Sequence, residues 1–235
     1  MHRLVSRKNA FAIGMLAIAV SPAHAGLFIT EVNPSGSGNG NYATDWFELT
    51  NTDPVTLNIA GWQMDDNSNG TAKVTLRGVT SIAPGQSIIF FEGNTTGTTD
   101  ASITSAFNTA WGTSFVFGTN IGAYGGSGVG LSTSGDAVNI FNGGGTRITG
   151  VQFGVTTTGV TFDNAANLGD TTLPLPTIST LSIDGVNGAF VSSIGETGSP
   201  GTIAAAVPEP ESYAMLLAGL GLLGFAARRR KHPAA

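Results

Sequence analysis

Asp65, Asn67 and Asn69 alternate ahead of Gly70, the residue types and spacing with which a loop can wrap a hard cation. Calcium takes roughly six to eight oxygen ligands, and the pattern D-x-[DN]-x-[DN]-G supplies the first of them while its glycine permits a sharp bend. The twelfth position of such a loop should be a bidentate glutamate, and here it is Leu76. Half a ligand set binds weakly. Asn69-Gly70 as the turn of a hairpin between Met64 and Val74 is therefore the stronger reading, and calcium stays a weak candidate.

Asp45 and Glu48 offer a second constellation, the acid and base of a carboxylate-based polysaccharide hydrolase. Three positions apart on one strand, they face opposite sides, which argues against shared chemistry. Asp45 reads as a loop-end contact and Glu48 as an exposed or backbone-bonded residue. Trp46, Trp62 and Trp111 have faces on which sugars stack, yet packing is the stronger reading for Trp62 and Trp111. Gly126-Ser127-Gly128-Val129-Gly130 lacks the following helix that a phosphate cradle requires and reads as loop. No catalytic residue is assigned.

Composition narrows the chemistry further. The three histidines are His2, His24 and His232, and cysteine is absent. Residues 26–206 thus hold neither imidazole nor thiol, which excludes Ser-His and Cys-His nucleophiles and zinc or copper sites built on those ligands. The same residues carry three cations, Lys73, Arg77 and Arg147, against thirteen acids, a net charge of −10. Such a surface repels phosphate backbones, so nucleic acid is not an expected partner. No disulfide supports the domain, and packing or ions must do so.

Glycine, at 34 of 235 residues, is far too frequent for helices and suits turn-rich β structure. Strand signals recur at 27–32, 45–51, 55–59, 73–77, 88–91, 138–141, 147–153 and 181–183. Along 45–51, Phe47 and Leu49 take one side while Trp46 and Glu48 take the other. Ile88-Ile89-Phe90-Phe91 is apolar throughout, as where both faces are covered. Asn142-Gly143-Gly144-Gly145 is a hairpin turn. One segment, 100–111, has helical periodicity instead: Ile103, Phe107, Ala110 and Trp111 form a stripe, with Asp100 as N-cap and Gly112 as stop. This helix is expected across one end of the strands, and 122–130 is expected to be loop. About eight or nine strands and one short helix make an all-β, immunoglobulin-like sandwich over 26–206.

Both ends speak of export. Arg3, Arg7 and Lys8 precede the apolar stretch 10–20, and Ala23-His24-Ala25 places small residues at both recognition positions for signal peptidase. Residues 1–25 read as a signal peptide, with mature protein starting at Gly26. Near the other end, Val207-Pro208-Glu209-Pro210 precedes an uncharged run at 212–227 and then Arg228, Arg229, Arg230 and Lys231. Sixteen residues make a helix of about 24 Å at ~1.5 Å per residue. That is slightly short of the ~30 Å hydrocarbon core, so thinning or flanking side chains must close the gap. The run reads as a transmembrane helix, its basic stop held in the cytoplasm.

This tail, 207–235, resembles the PEP-CTERM sorting signal of Gram-negative bacteria, and Pro208, Glu209 and Pro210 match its motif residue by residue. The resemblance implies processing by an exosortase-type enzyme, and release to the cell envelope or an exopolysaccharide matrix after passage through the inner membrane. The body resembles a lamin tail domain. The likeness covers nearly the whole mature body, through Ile29-Thr30-Glu31-Val32-Asn33-Pro34, Asp45-Trp46-Phe47-Glu48-Leu49-Thr50-Asn51 and Leu57-Asn58-Ile59-Ala60-Gly61-Trp62-Gln63-Met64-Asp65-Asp66, then Ile82-Ala83-Pro84-Gly85-Gln86, the strand from Leu131-Ser132 to Phe141 with Gly135-Asp136, and the closing Gly198-Ser199-Pro200-Gly201. It implies an immunoglobulin-like sandwich for binding or display, with no catalytic set and no cofactor. Glycine-rich insertions at 35–41 and 122–130 depart from the pattern. The reading is a non-enzymatic surface or matrix protein that contacts polysaccharide or other surface proteins. A secreted carboxylate hydrolase and a calcium-tuned adhesion module are the alternatives.

Overall fold

Alternation along β2 (Trp46–Asn51) sets the layering, because Phe47 and Leu49 turn into one apolar cluster and Trp46 into another. The computed structural model describes residues 26–34, 42, 44–67, 73–126 and 128–202, with single positions at 218, 219 and 221. Residues 25–206 form one compact unit. β2 is the middle strand of a five-stranded sheet ordered β11-β1-β2-β7-β8, comprising β1 (Leu27–Asn33), β7 (Ser87–Glu92), β8 (Ile121–Tyr124) and β11 (Phe162–Asp163). The second five-stranded sheet is ordered β12-β10-β9-β4-β5, from β4 (Gln63–Asp65), β5 (Val74–Thr75), β9 (Asp136–Phe141), β10 (Arg147–Phe153) and β12 (Thr177–Ile178). Two short pairs complete the strands: β3 (Leu57–Asn58) with β6 (Ser81–Ile82), and β13 (Phe190–Val191) with β14 (Thr197–Gly198).

The two large sheets face each other. Ile29, Phe47, Leu49 and Phe90 from the first meet Met64, Val138, Ile140 and Val151 from the second in one buried cluster, the interleaving of inner faces that defines a sandwich. The outer face of the first sheet is also covered. Trp46, Ile89, Phe91, Ile121 and Ala123 pack against Phe107, Ala110 and Trp111 of α1 (Asp100–Trp111). This explains why 88–91 is apolar at every position. The helix therefore lies on a sheet face, not across the end of the strands as expected, since its aromatic stripe needs the apolar face that Trp46 and Phe91 provide.

Two local readings change as well. Thr99 is the N-cap, and Asp100 sits in the first helical turn, where its carboxylate takes Nε and Nη2 of Arg77 at 2.7 Å each. An ion pair with a buried acid wins over a cap. Gly112 does end the helix, left-handed at φ 64°. The glycine-rich stretch opens as a strand: residues 121–124 run parallel to β7. Gly122 belongs there because an added Cβ would lie 2.7 Å from the Arg77 carbonyl and 2.8 Å from the Phe90 ring. Propensity disfavours glycine in a strand, and this close approach overrides it. Residues 53–55 turn after Pro54, leaving Val55 exposed and the strand expected at 55–59 confined to Leu57–Asn58.

Among the described residues no helix is long and apolar enough to cross a membrane. The signal peptide with Ala23 and Ala25, the motif Pro208-Glu209-Pro210, the basic cluster 228–231 and all but three positions of 212–227 lie outside the described residues.

Candidate functional site

A bulge in β1 creates the most unusual chemistry of the sandwich. The register of β1 on β2 runs Ile29↔Leu49 and then skips to Glu31↔Glu48, so Ile29 and Val32, three apart, both point into the core. The extra residue re-aims Glu31, as bulges do. Glu31 and Glu48 stand directly opposite each other on the outer face, each only 1% exposed.

Hydroxyls and backbone amides satisfy both groups. Glu31 Oε1 accepts from the Thr161 hydroxyl at 2.5 Å and from the Ser199 amide at 2.8 Å, while its Oε2 meets the Ser199 hydroxyl at 3.2 Å. Glu48 Oε1 accepts from the Thr30 hydroxyl at 2.5 Å, and Oε2 accepts from the Gly201 amide at 2.6 Å. Burial pushes Glu31 up to about 8, with the neighbouring Glu48 adding to the shift. Burial likewise raises Glu48 to about 7, against the lowering effect of its hydrogen bonds. Desolvation wins because no cation among the described residues neutralises either group.

The cover over this pair is the closing motif itself. A Cβ at Gly198 would lie 2.5 Å from Glu31 Oε1, so only glycine lets the strap approach. Beside it lies a polar hub. The Tyr42 hydroxyl accepts from Trp46 Nε1 at 3.1 Å, Trp111 Nε1 at 3.2 Å and Asn33 Nδ2 at 3.2 Å, and donates to Glu196. Burial, followed by Glu196, holds this phenol well above its ordinary range. Sequence patterning did not single out Glu31, Tyr42 or Glu196. The available signal was Glu48 on the Trp46 side of β2, a side that turns out to be covered.

The residues proposed from sequence have other duties. Asp45 is buried and accepts from the Leu131 amide at 2.5 Å, the loop-end contact expected of it. Asp45 and Glu48 do not converge. Asp65 is buried in β4 and accepts from the Asp66 amide, and the Asn67 amide donates to Asp136 at 2.8 Å. Asn69 lies outside the described residues, among which no group of three or more His, Cys, Asp or Glu is placed to hold a metal. Burial and Asp45 raise Glu92. Trp46 and Trp111 are buried edge to face, centroids 6.0 Å apart, so neither offers a face to sugar. Trp62 packs partly buried against the main core. Lys73 Nζ sits 3.9 Å from the Phe141 ring centroid, with Arg147 at 5.4 Å from the same ring.

Comparison with known families assigns both halves of this arrangement. Residues 20–154 match the Lamin Tail Domain, more than half of the 235 residues. The chain belongs to the Lamin Tail Domain family. Residues 206–231 match the PEP-CTERM protein-sorting motif, and no curated protein matches the sequence. The lamin tail match includes the bulge, Glu31, Glu48 and α1, but it ends at 154, ahead of Thr161 and the strap that cover the pair. The sorting motif indicates export to the cell envelope of a Gram-negative bacterium and handling by an exosortase-type system. Neither a lamin tail domain nor this motif is a catalytic domain type.

Proposed function

We propose that this protein is a non-enzymatic surface or extracellular-matrix component whose immunoglobulin-like sandwich, 26–206, is displayed for binding. Signal peptidase trims it at Gly26, and an exosortase-type enzyme acts at Pro208-Glu209-Pro210 while the 212–227 helix sits in the inner membrane. The observation that carries this reading is the order of the two family matches, a lamin tail domain followed by a protein-sorting motif. The fates of the carboxylates support it. Asp45 and Glu48, the pair a hydrolase would need, are buried and engaged by backbone amides. A net charge of −10 on the body favours uncharged polysaccharide or basic faces of surface proteins over polyanions.

Cell fractionation with intact-mass measurement tests the proposal. The native product is expected in the envelope or medium, beginning at Gly26 and lacking the residues beyond about Pro210. Replacing Pro208 and Glu209 by alanine should leave the tail attached. Full-length protein recovered from the cytosol would overturn the reading.

A further inference from the structure

Glu31 and Glu48 are two carboxylates buried face to face on the covered side of the first sheet, both pushed up by desolvation. We propose that the pair is a proton-operated latch: the strap 197–202 docks on the outer face of the first sheet while the pair keeps a proton, and lifts when both carboxylates ionise.

The geometry supports each part. Two carboxylates opposite each other in register, each 1% exposed, must share one desolvated space. Like charges so placed cannot both ionise cheaply. On Glu31, Oε1 takes the Thr161 hydroxyl and the Ser199 amide, whereas Oε2 meets the Ser199 hydroxyl alone. A proton on Oε2 can be donated to that hydroxyl, which ties the neutral form to the strap. The described neighbours contribute no positive charge. β11 brings Asp163, register partner of Glu31, whose oxygens take the Ala165 amide and the Asn187 side chain. The hairpin of β13 and β14 brings Glu196, bound by Tyr42. Thr50 and Ser87 supply hydroxyls from β2 and β7. Of the described cations, Arg77 lies against Asp100, and Lys73 and Arg147 lie at Phe141.

Of the cover over the pair, the strap is the piece that can move. Its start is anchored, since β14 pairs with β13 and Thr197 exchanges backbone hydrogen bonds with Gly159 and Thr161, whereas 199–202 is held on the pair through the Ser199 and Gly201 amides. Opening returns both carboxylates to water and toward their ordinary range, so ionisation drives opening by linkage. The strap also leads directly towards Pro208, and lifting it frees more chain ahead of the sorting motif.

Hydrogen exchange read by mass spectrometry on the full chain in detergent micelles, from pH 6 to pH 9 and corrected for base-catalysed exchange, tests the latch. Protection across 197–202 is expected to fall about tenfold per pH unit for each proton released, while β9 and β10 keep theirs. Glu31→Gln and Glu48→Gln together should make strap protection independent of pH. Constant protection in the wild-type chain overturns the proposal, as does a loss shared equally by β9 and β10. Should the glutamine variant fail to fold, carboxyl 13C shifts of the wild-type chain decide. Glutamates that all titrate below pH 5 sink the latch, and two that titrate near neutrality support it.

Discussion

Tyr42→Phe removes a single oxygen and keeps the ring against Phe107, whose centroid lies 5.2 Å away. The lost hydroxyl accepts from two buried indoles and donates to a buried carboxylate. Each stranded indole N–H costs ~1–2 kcal/mol, and a hydrogen bond to a charged group contributes ~1.5–3 kcal/mol. The sum is a loss of ~3.5–7 kcal/mol with little change in packing volume, and about 4 kcal/mol, near its lower end, is the minimum expected. Urea unfolding of the full chain in micelles, followed by tryptophan fluorescence, reads this directly. Trp46 and Trp111 lie in the affected cluster, and Trp62→Phe as a common background removes the remaining tryptophan. With an m-value of ~2 kcal/mol/M for a domain of this size, the midpoint should fall by about 2 M or more while m stays unchanged. A shift below about 0.5 M at unchanged m would mean that the indoles gain nothing from the phenol. The hub would then be a bystander to packing.

Stability should fall with rising pH. Glu31 and Glu48 sit at about 8 and about 7 when folded against 4.5 as their ordinary value, so the folded state binds more protons between those limits. Their contribution is complete below pH 4.5 and is lost towards pH 8, by up to ~1.4 kcal/mol per pH unit for each ionising group. Urea midpoints at pH 5 and pH 8.5 check the sign. Gly122→Ala forces a Cβ against the Arg77 carbonyl and the Phe90 ring, and a thermal melt should show a loss of roughly 2–3 kcal/mol. Phe107→Ala opens a cavity between Tyr42, Trp46, Trp111 and Phe115, with an expected cost of about 3–5 kcal/mol in the same melt. Chelating divalent ions should leave the melting temperature within ~2 °C, because Asp65 is committed inside the sheet and half a ligand set binds weakly. A larger drop would revive the calcium loop.

Local pattern reached the elements whose periodicity is set by their own residues. The strand at 147–153 and the helix at 100–111 run as their hydrophobic spacing requires, and β4 pairs antiparallel with β5, while Asn69-Gly70 itself lies outside the described residues. It failed where a distant segment decides. The strand at 121–124 is hidden by Gly122, whose reason is the Phe90 ring. β12, β13 and β14 are two residues each, too short to show alternation. Glu48 looks solvent-facing along β2, and nothing nearby in sequence reveals that Gly201 will bury it. The bulge that brings Glu31 to the same face leaves only a trace, apolar Ile29 and Val32 three apart instead of two.

The amides that seal Glu31 and Glu48 lie 168 and 153 positions downstream. A chain threaded through a membrane from its first residue onward cannot close this face until its last strand pair has emerged. Contacts of such long range are slow to form, and the waiting strands stay sticky. On the proposed export route the domain would therefore complete its fold only as the Pro208 segment follows, and a truncated product would leave the faces of Glu31 and Glu48 open.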